Sequence, residues 1–143
     1  MSDISRTRPI RSFVRRNSRM TTGQKRALDK YWSRYGIKPD KETDLDKIFM
    51  RRAPKVLDIG SGMGDATIEL ASKIPQMDFV AVEVHQPGIG NLIRLANERK
   101  LSNIRIISED IVTLLNSGIF KNCFDKVLIF FPDPWPKKRH HKR

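Results

Sequence analysis

Residues 55–65 read KVLDIGSGMGD, and the order of residue types in this stretch decides the fold. Lys55–Ile59 is a short apolar run that reads as a strand. Gly60, Gly62 and Gly64 follow within five residues and read as a glycine-rich turn. Glycines let a backbone turn tightly and let a ligand approach it closely. Asp65–Lys73 then reads as a helix, with Ala66, Leu70 and Ala71 as its apolar positions.

The same alternation continues downstream. Phe79–Val84 (FVAVEV) reads as a strand, and Gly88–Lys100 as a helix with Ile89, Leu92, Ile93 and Ala96 on one face. Ile104–Ile107 is the next strand, Asp110–Leu115 the next helix, and Lys126–Phe131 a further strand stopped by Pro132. Strands alternating with helices imply parallel pairing through crossover helices, an α/β doubly wound sheet of about four strands. Upstream, Thr21 and Gln24 have capping-box spacing. Ala27, Leu28, Tyr31 and Trp32 then form an apolar stripe, and Gly36 and Pro39 end that helix. Three regions result: a basic arm and helix over 1–52, an α/β domain over 53–136, and a basic segment over 137–143.

Three acids stand out at the expected strand tips: Asp58 before the glycine turn, Glu83 near the end of the second strand, and Asp110 after the third. Ligands of doubly wound sheets bind outside the carboxyl ends of the strands. The turn is spaced G-x-G-x-G, and position 65, where a dinucleotide fingerprint needs its third glycine, is aspartate. A pyrophosphate favours bare helix N–H groups. S-adenosylmethionine carries no phosphate, and its ammonium suits Asp58. Glu83 is placed to accept from ribose hydroxyls and Asp110 from an adenine amino group. The plainer readings are a solvated strand end for Asp58, a lysine-paired Glu83 and a simple helix cap for Asp110.

Charge is unevenly distributed in the chain of 143 residues, whose net charge is +12. Residues 1–26 hold eight Lys/Arg against one acid, and residues 137–143 hold five against none. Residues 53–136 hold eight against ten. Basic ends around a slightly acidic middle suit a polyanion such as RNA. The basic segments lack the long apolar face of an interfacial helix, and no apolar run approaches the roughly 20 residues of a membrane span. The first 26 residues also have the Arg- and Ser-rich, acid-poor composition of an organelle transit peptide. With Cys123 as the single cysteine, no internal disulfide forms, in keeping with a reducing, cytoplasmic setting. His140 and His141 adjoin no acid or cysteine, so no metal is expected.

Phe130–Pro136 (FFPDPWP) closes the last strand. Prolines on both sides of Asp133 restrict φ and remove donors, which stiffens the loop. An acid and an indole on a stiff loop make a pocket wall, or a Pro-rich turn with Trp135 as a core plug. LDIGSGMGDA, VAVEVHQPGIG, SEDIVTLL and FFPDPWPKKRHHKR, in this order, together with RSFVRRNSRMTTGQKRAL at 11–28, resemble the tRNA (guanine-N7)-methyltransferases.

The resemblance implies a Rossmann-like class I methyltransferase fold, S-adenosylmethionine as cofactor and tRNA as partner. It implies that Asp58, Glu83, Asp110 and Asp133 contact the cofactor beside Gly60, Gly62 and Gly64, and that Asp133 is catalytic. It also implies that Lys137 contacts substrate and that Arg139, His140, His141, Lys142 and Arg143 touch RNA. The family's chain continues for roughly half its length again, so the sheet is expected to be incomplete, shortened at its C-terminus. Two alternatives stay open: a nicotinamide dehydrogenase, and a shortened, non-catalytic remnant that keeps nucleotide or RNA binding.

Overall fold

The computed structural model describes residues 19–129. The catalytic and RNA-contacting expectations at Asp133, Lys137, Arg139, His140, His141, Lys142 and Arg143 therefore lie outside the described residues, as does the end of the last expected strand.

Helix α1 spans Thr22–Tyr35. Its capping box forms as the spacing predicts: Gln24 N–H donates to Thr21 Oγ1 (3.1 Å), and Thr21 N–H donates to Gln24 Oε1 (2.9 Å). Gly36 does more than stop the helix. It begins a two-residue strand, β1 (Gly36–Ile37), and a short helix α2 (Leu45–Phe49) follows behind an Asp44 cap. From there the order is β2 (Lys55–Ile59), α3 (Asp65–Lys73), β3 (Asp78–Val82), α4 (Gln86–Glu98), β4 (Ile104–Ile107), α5 (Ile111–Ser117) and β5 (Lys126–Ile129).

All strand pairs are parallel, in the order β1-β4-β3-β2-β5. The sheet thus has five strands among the described residues, one more than the periodicity indicates. Its core lies on both faces. Val56, Ala81, Ile104 and Ile106 pack with Ile68, Ile89, Leu92 and Ile93 from α3 and α4. Leu57, Val80, Val82 and Ile107 pack with Leu45, Phe49 and Leu114 from α2 and α5. The period of two along each strand sends successive side chains to opposite faces, and burial on both faces explains the continuous apolar runs.

The amino-terminal ends of β2 and β3 are locked by charge. Asp78 is fully buried and accepts from Arg51 Nε (2.9 Å), Arg51 Nη2 (2.6 Å) and Lys55 Nζ (2.8 Å). Lys55 Nζ also reaches Asp46 (2.9 Å) and the Ala53 carbonyl (2.8 Å). Burial by itself pushes the Lys55 ammonium pKa down, but its bonds to Asp78 and Asp46 leave it raised. A charge is tolerated inside a protein only when paired and hydrogen-bonded, and here both conditions hold.

Candidate functional site

The register aligns the carboxyl ends of the central strands: Ile59 pairs with Val82 and with Ile129, and Val82 pairs with Ile107. The chain runs outward from β2 to β3 to β4, then crosses back to lay β5 on the other side of β2. That reversal is a topological switch point, where open α/β sheets hold ligands. Asp58, the glycine turn and Glu83 all meet this edge.

The turn's three glycines adopt left-handed φ values, 71° at Gly60, 61° at Gly62 and 86° at Gly64. Side chains rarely take that conformation, which accounts for the spacing. Gly62 also has open space around the position of a Cβ, with nothing within 4 Å. Gly62 N–H donates to Glu83 Oε2 (3.0 Å), and Glu83 Oε1 accepts from Val84 N–H (3.2 Å) and His85 N–H (3.0 Å). Glu83 thus ties the turn to the entry of α4. A phosphate would have to displace this carboxylate to reach the Gly62 donor.

Asp58 is fully buried. Its Oδ2 accepts a short hydrogen bond from Thr67 Oγ1, while Oδ1 has no partner among the described residues. Ser61 Oγ, in the turn itself, is likewise buried and unpartnered there. Burial raises the Asp58 pKa to about 6; the Thr67 bond opposes the rise and the like charge of Glu83 adds to it. An orphaned carboxylate oxygen in a buried site is costly, and it is well placed to receive a cationic or donor group. Asp58 is therefore no solvated strand end, and Glu83 pairs with backbone N–H groups rather than with a lysine.

Asp110 lies at the same edge, one strand further out. It caps α5, accepting from Thr113 N–H and Thr113 Oγ1 at 3.4 Å each. The structure thus unites Asp58, Gly60, Gly62, Gly64 and Glu83, and sets Asp110 beyond β4. Among the described residues no group of three or more His, Cys, Asp or Glu side chains is arranged to hold a metal ion.

Several supporting residues escape pattern reading. Thr67 orients Asp58 from α3. Gly88, in the first turn of α4, lies so close to the glycine turn that a Cβ would come within 2.0 Å of the Gly62 carbonyl. Gly90 lets α4 approach α1, where a Cβ would meet the Gln24 carbonyl at 2.7 Å. Asn91 Nδ2 donates to the Met63 carbonyl at 2.6 Å and pins the turn's far side. Two glycines within a helical stretch, each carrying about 1 kcal/mol of helix penalty, are the one sequence signal that pointed this way.

A family model described as "Putative methyltransferase" matches residues 52–143. Among curated relatives, a tRNA (guanine-N(7)-)-methyltransferase of Neisseria meningitidis is 50% identical over 137 residues, 95% of this chain and 58% of the relative. One of Burkholderia thailandensis is 52% identical over 137 residues, again 95% of this chain and 52% of the relative. The chain therefore spans little more than half the length of the curated relatives it matches. Among solved structures, an antibiotic-related methyltransferase has a TM-score of 0.56 at 18% identity, covering 73% of this chain and 52% of that one. A 30S ribosomal A1408 methyltransferase from an uncultured bacterium has a TM-score of 0.52 at 20% identity, covering 67% of this chain and 46% of its own. These two likenesses show the fold, a Rossmann-like doubly wound sheet.

Proposed function

This chain belongs to the methyltransferase family matched over residues 52–143, and from that premise we propose that it is the S-adenosylmethionine-binding part of an enzyme that methylates N7 of a guanine in the variable loop of tRNA. The observation that carries the reading is the buried Asp58 carboxylate, with one oxygen unpartnered, beside a left-handed glycine turn. S-adenosylmethionine fits that site chemically. Its ammonium supplies the donor and positive charge that Asp58 lacks, and Gly60, Gly62 and Gly64 let its methionine end lie against backbone.

Glu83 takes the ribose. A carboxylate has about four acceptor positions, and backbone N–H groups use three of them here. One hydroxyl is accommodated directly, and a second by exchange with the long Val84 bond. Asp110 accepts from the adenine amino group while it caps α5. The bound cofactor supplies an electrophilic methyl group. Guanine N7 has an in-plane lone pair and no proton to remove, so the protein's task is alignment and charge stabilisation. Asp133 is assigned the task of stabilising the positive charge that grows on the guanine ring during transfer. Lys137, Arg139, His140, His141, Lys142 and Arg143 hold RNA. The work is cytoplasmic; no helix among the described residues is long and apolar enough to cross a membrane.

Calorimetric titration with S-adenosylmethionine and with NAD tests the cofactor assignment, and binding of NAD alone refutes it. Methyl transfer to tRNA, compared between the wild type and Asp133→Asn, tests the catalytic assignment. A rate falling far more than tRNA affinity supports it; equal losses reject it. One observation favours a second reading. Val127 and Ile129 on β5 are 53% and 55% exposed, an apolar face open among the described residues, and the second reading is a chain that binds nucleotide or RNA without transferring methyl groups. Cofactor binding without any methyl transfer selects that reading.

A further inference from the structure

A cleft of about 370 Å³ opens on the side of the sheet away from β5, between α1 and the start of α4, and Leu28, Asp29, Trp32, Gln86, Ile89 and Ser108 line it. Ser108 directly follows β4 and Gln86 begins α4, so the cleft reaches the same ligand-binding edge as the glycine turn. It lies three strand spacings from β5, about 14 Å. Its walls are apolar at Leu28 and Ile89 and aromatic at Trp32. The indole is seated on Gly36, where a Cβ would come within 2.3 Å of the ring. Gln86, hydrogen-bonded to Ser108 at 3.3 Å, and Asp29 supply polar groups at the rim.

Beside this cleft, a shallow open surface of α1 carries Thr22, Lys25, Arg26, Asp29 and Lys30, sharing Asp29 with it. Positions three, four and seven apart share one helix face, so Lys25, Leu28, Asp29 and Trp32 lie on one face of α1, with Arg26 and Lys30, four apart, on the flank beside it. Unpaired bases are held in this way, stacked on an aromatic plane with cations on the flanking phosphates. We infer that α1 and the entry of α4 form a second nucleotide site, in which Trp32 stacks an unpaired base of the RNA substrate and Lys25, Arg26 and Lys30 hold its flanking phosphates. Asp29 and Gln86 match the donors and acceptors of a guanine edge. The inference rests on the reading of this chain as an RNA-directed methyltransferase and adds a contact remote from the transferred methyl.

The test uses the full chain and a short, single-stranded, guanosine-containing oligoribonucleotide. In Trp135→Phe, Trp32 is the sole tryptophan, and its fluorescence should be quenched saturably by the oligonucleotide. Lys25→Ala/Arg26→Ala/Lys30→Ala changes only exposed side chains. It should lower the slope of log affinity against log salt by about 2, at roughly 0.7 per phosphate contact on a single strand. Trp32→Leu should weaken binding at least about fivefold, whereas Trp32→Phe should retain most of it. The triple variant keeps the test informative if the Leu variant unfolds. Unquenched Trp32, or an unchanged salt slope, overturns the inference. S-adenosylmethionine titration separates the two ideas: binding of cofactor without RNA sinks this site and leaves the cofactor reading intact. Loss of cofactor affinity in the triple variant would assign the cleft to the cofactor instead and equally overturn it.

Discussion

Asp58→Asn removes one charge from a fully buried position, and its effect can be worked from the structure. The Asp58 pKa stands at about 6 in the folded chain against 3.8 for an unperturbed aspartate. That difference of about 2 units corresponds to about 3 kcal/mol, at about 1.36 kcal/mol per unit. Because the folded value lies above the unfolded one, this group's favourable contribution is fully present below pH 3.8 and is lost as pH rises through about 6. The asparagine variant has no such titration. Its hydroxyl contact from Thr67 persists. Urea unfolding from pH 3.5 to pH 8 should therefore show the wild type losing about 3 kcal/mol relative to the variant across this window. Above pH 7 saturating S-adenosylmethionine should restore stability to the wild type far more than to the variant, because the ammonium meets a carboxylate only in the former. Parallel stability curves for the two proteins would refute the claim that Asp58 is a buried, uncompensated charge.

Gly88→Ala should destabilise the chain by about 1–3 kcal/mol, since the new methyl meets the Gly62 backbone carbonyl at 2.0 Å and the glycine turn must shift to admit it. Cofactor affinity, measured by calorimetry, should fall with it, whereas Gly90→Ala should destabilise through the α1–α4 contact and leave cofactor affinity nearly unchanged. Asp78→Ala leaves Lys55 buried without its main partner and should cost about 3–5 kcal/mol by chemical denaturation. Thr21→Ala removes the α1 cap and should cost about 1 kcal/mol, read in the same assay.

The parts of this fold that sequence reading finds are those whose cause is local. Lys55–Ile59 and Asp65–Lys73 have the same limits in pattern and structure, because an apolar run and a glycine turn bound them. β3 ends two residues before the expected Val84: Glu83 N–H still donates to the Ile107 carbonyl at 3.0 Å, but the next two N–H groups, of Val84 and His85, go to the Glu83 carboxylate instead of to a neighbouring strand. β1 was not legible: two residues cannot display alternation, and Gly36–Ile37 is a strand only because Ile106 and Ile107 lie beside it. α2, five residues long, is too short to show a helical period. At the site, Asp58 and Glu83 were readable from their places at strand tips. Thr67 was not, because its bond to Asp58 joins a strand to a helix across the turn.

The two ends of β2 and β3 carry opposite electrostatic arrangements. At the amino ends, Asp78 is matched by Arg51 and Lys55, so removing any partner is costly and the strands are fixed in register. At the carboxyl ends, the charge that bears on Asp58 is the like charge of Glu83. Burial raises the Asp58 carboxyl pKa most, and the like charge of Glu83 adds to it. A ligand that brings positive charge and hydroxyl donors relieves that repulsion, whereas an anionic phosphate deepens it. The like charge of Glu83 beside the buried Asp58 carboxylate thus suits a sulfonium nucleoside better than a dinucleotide.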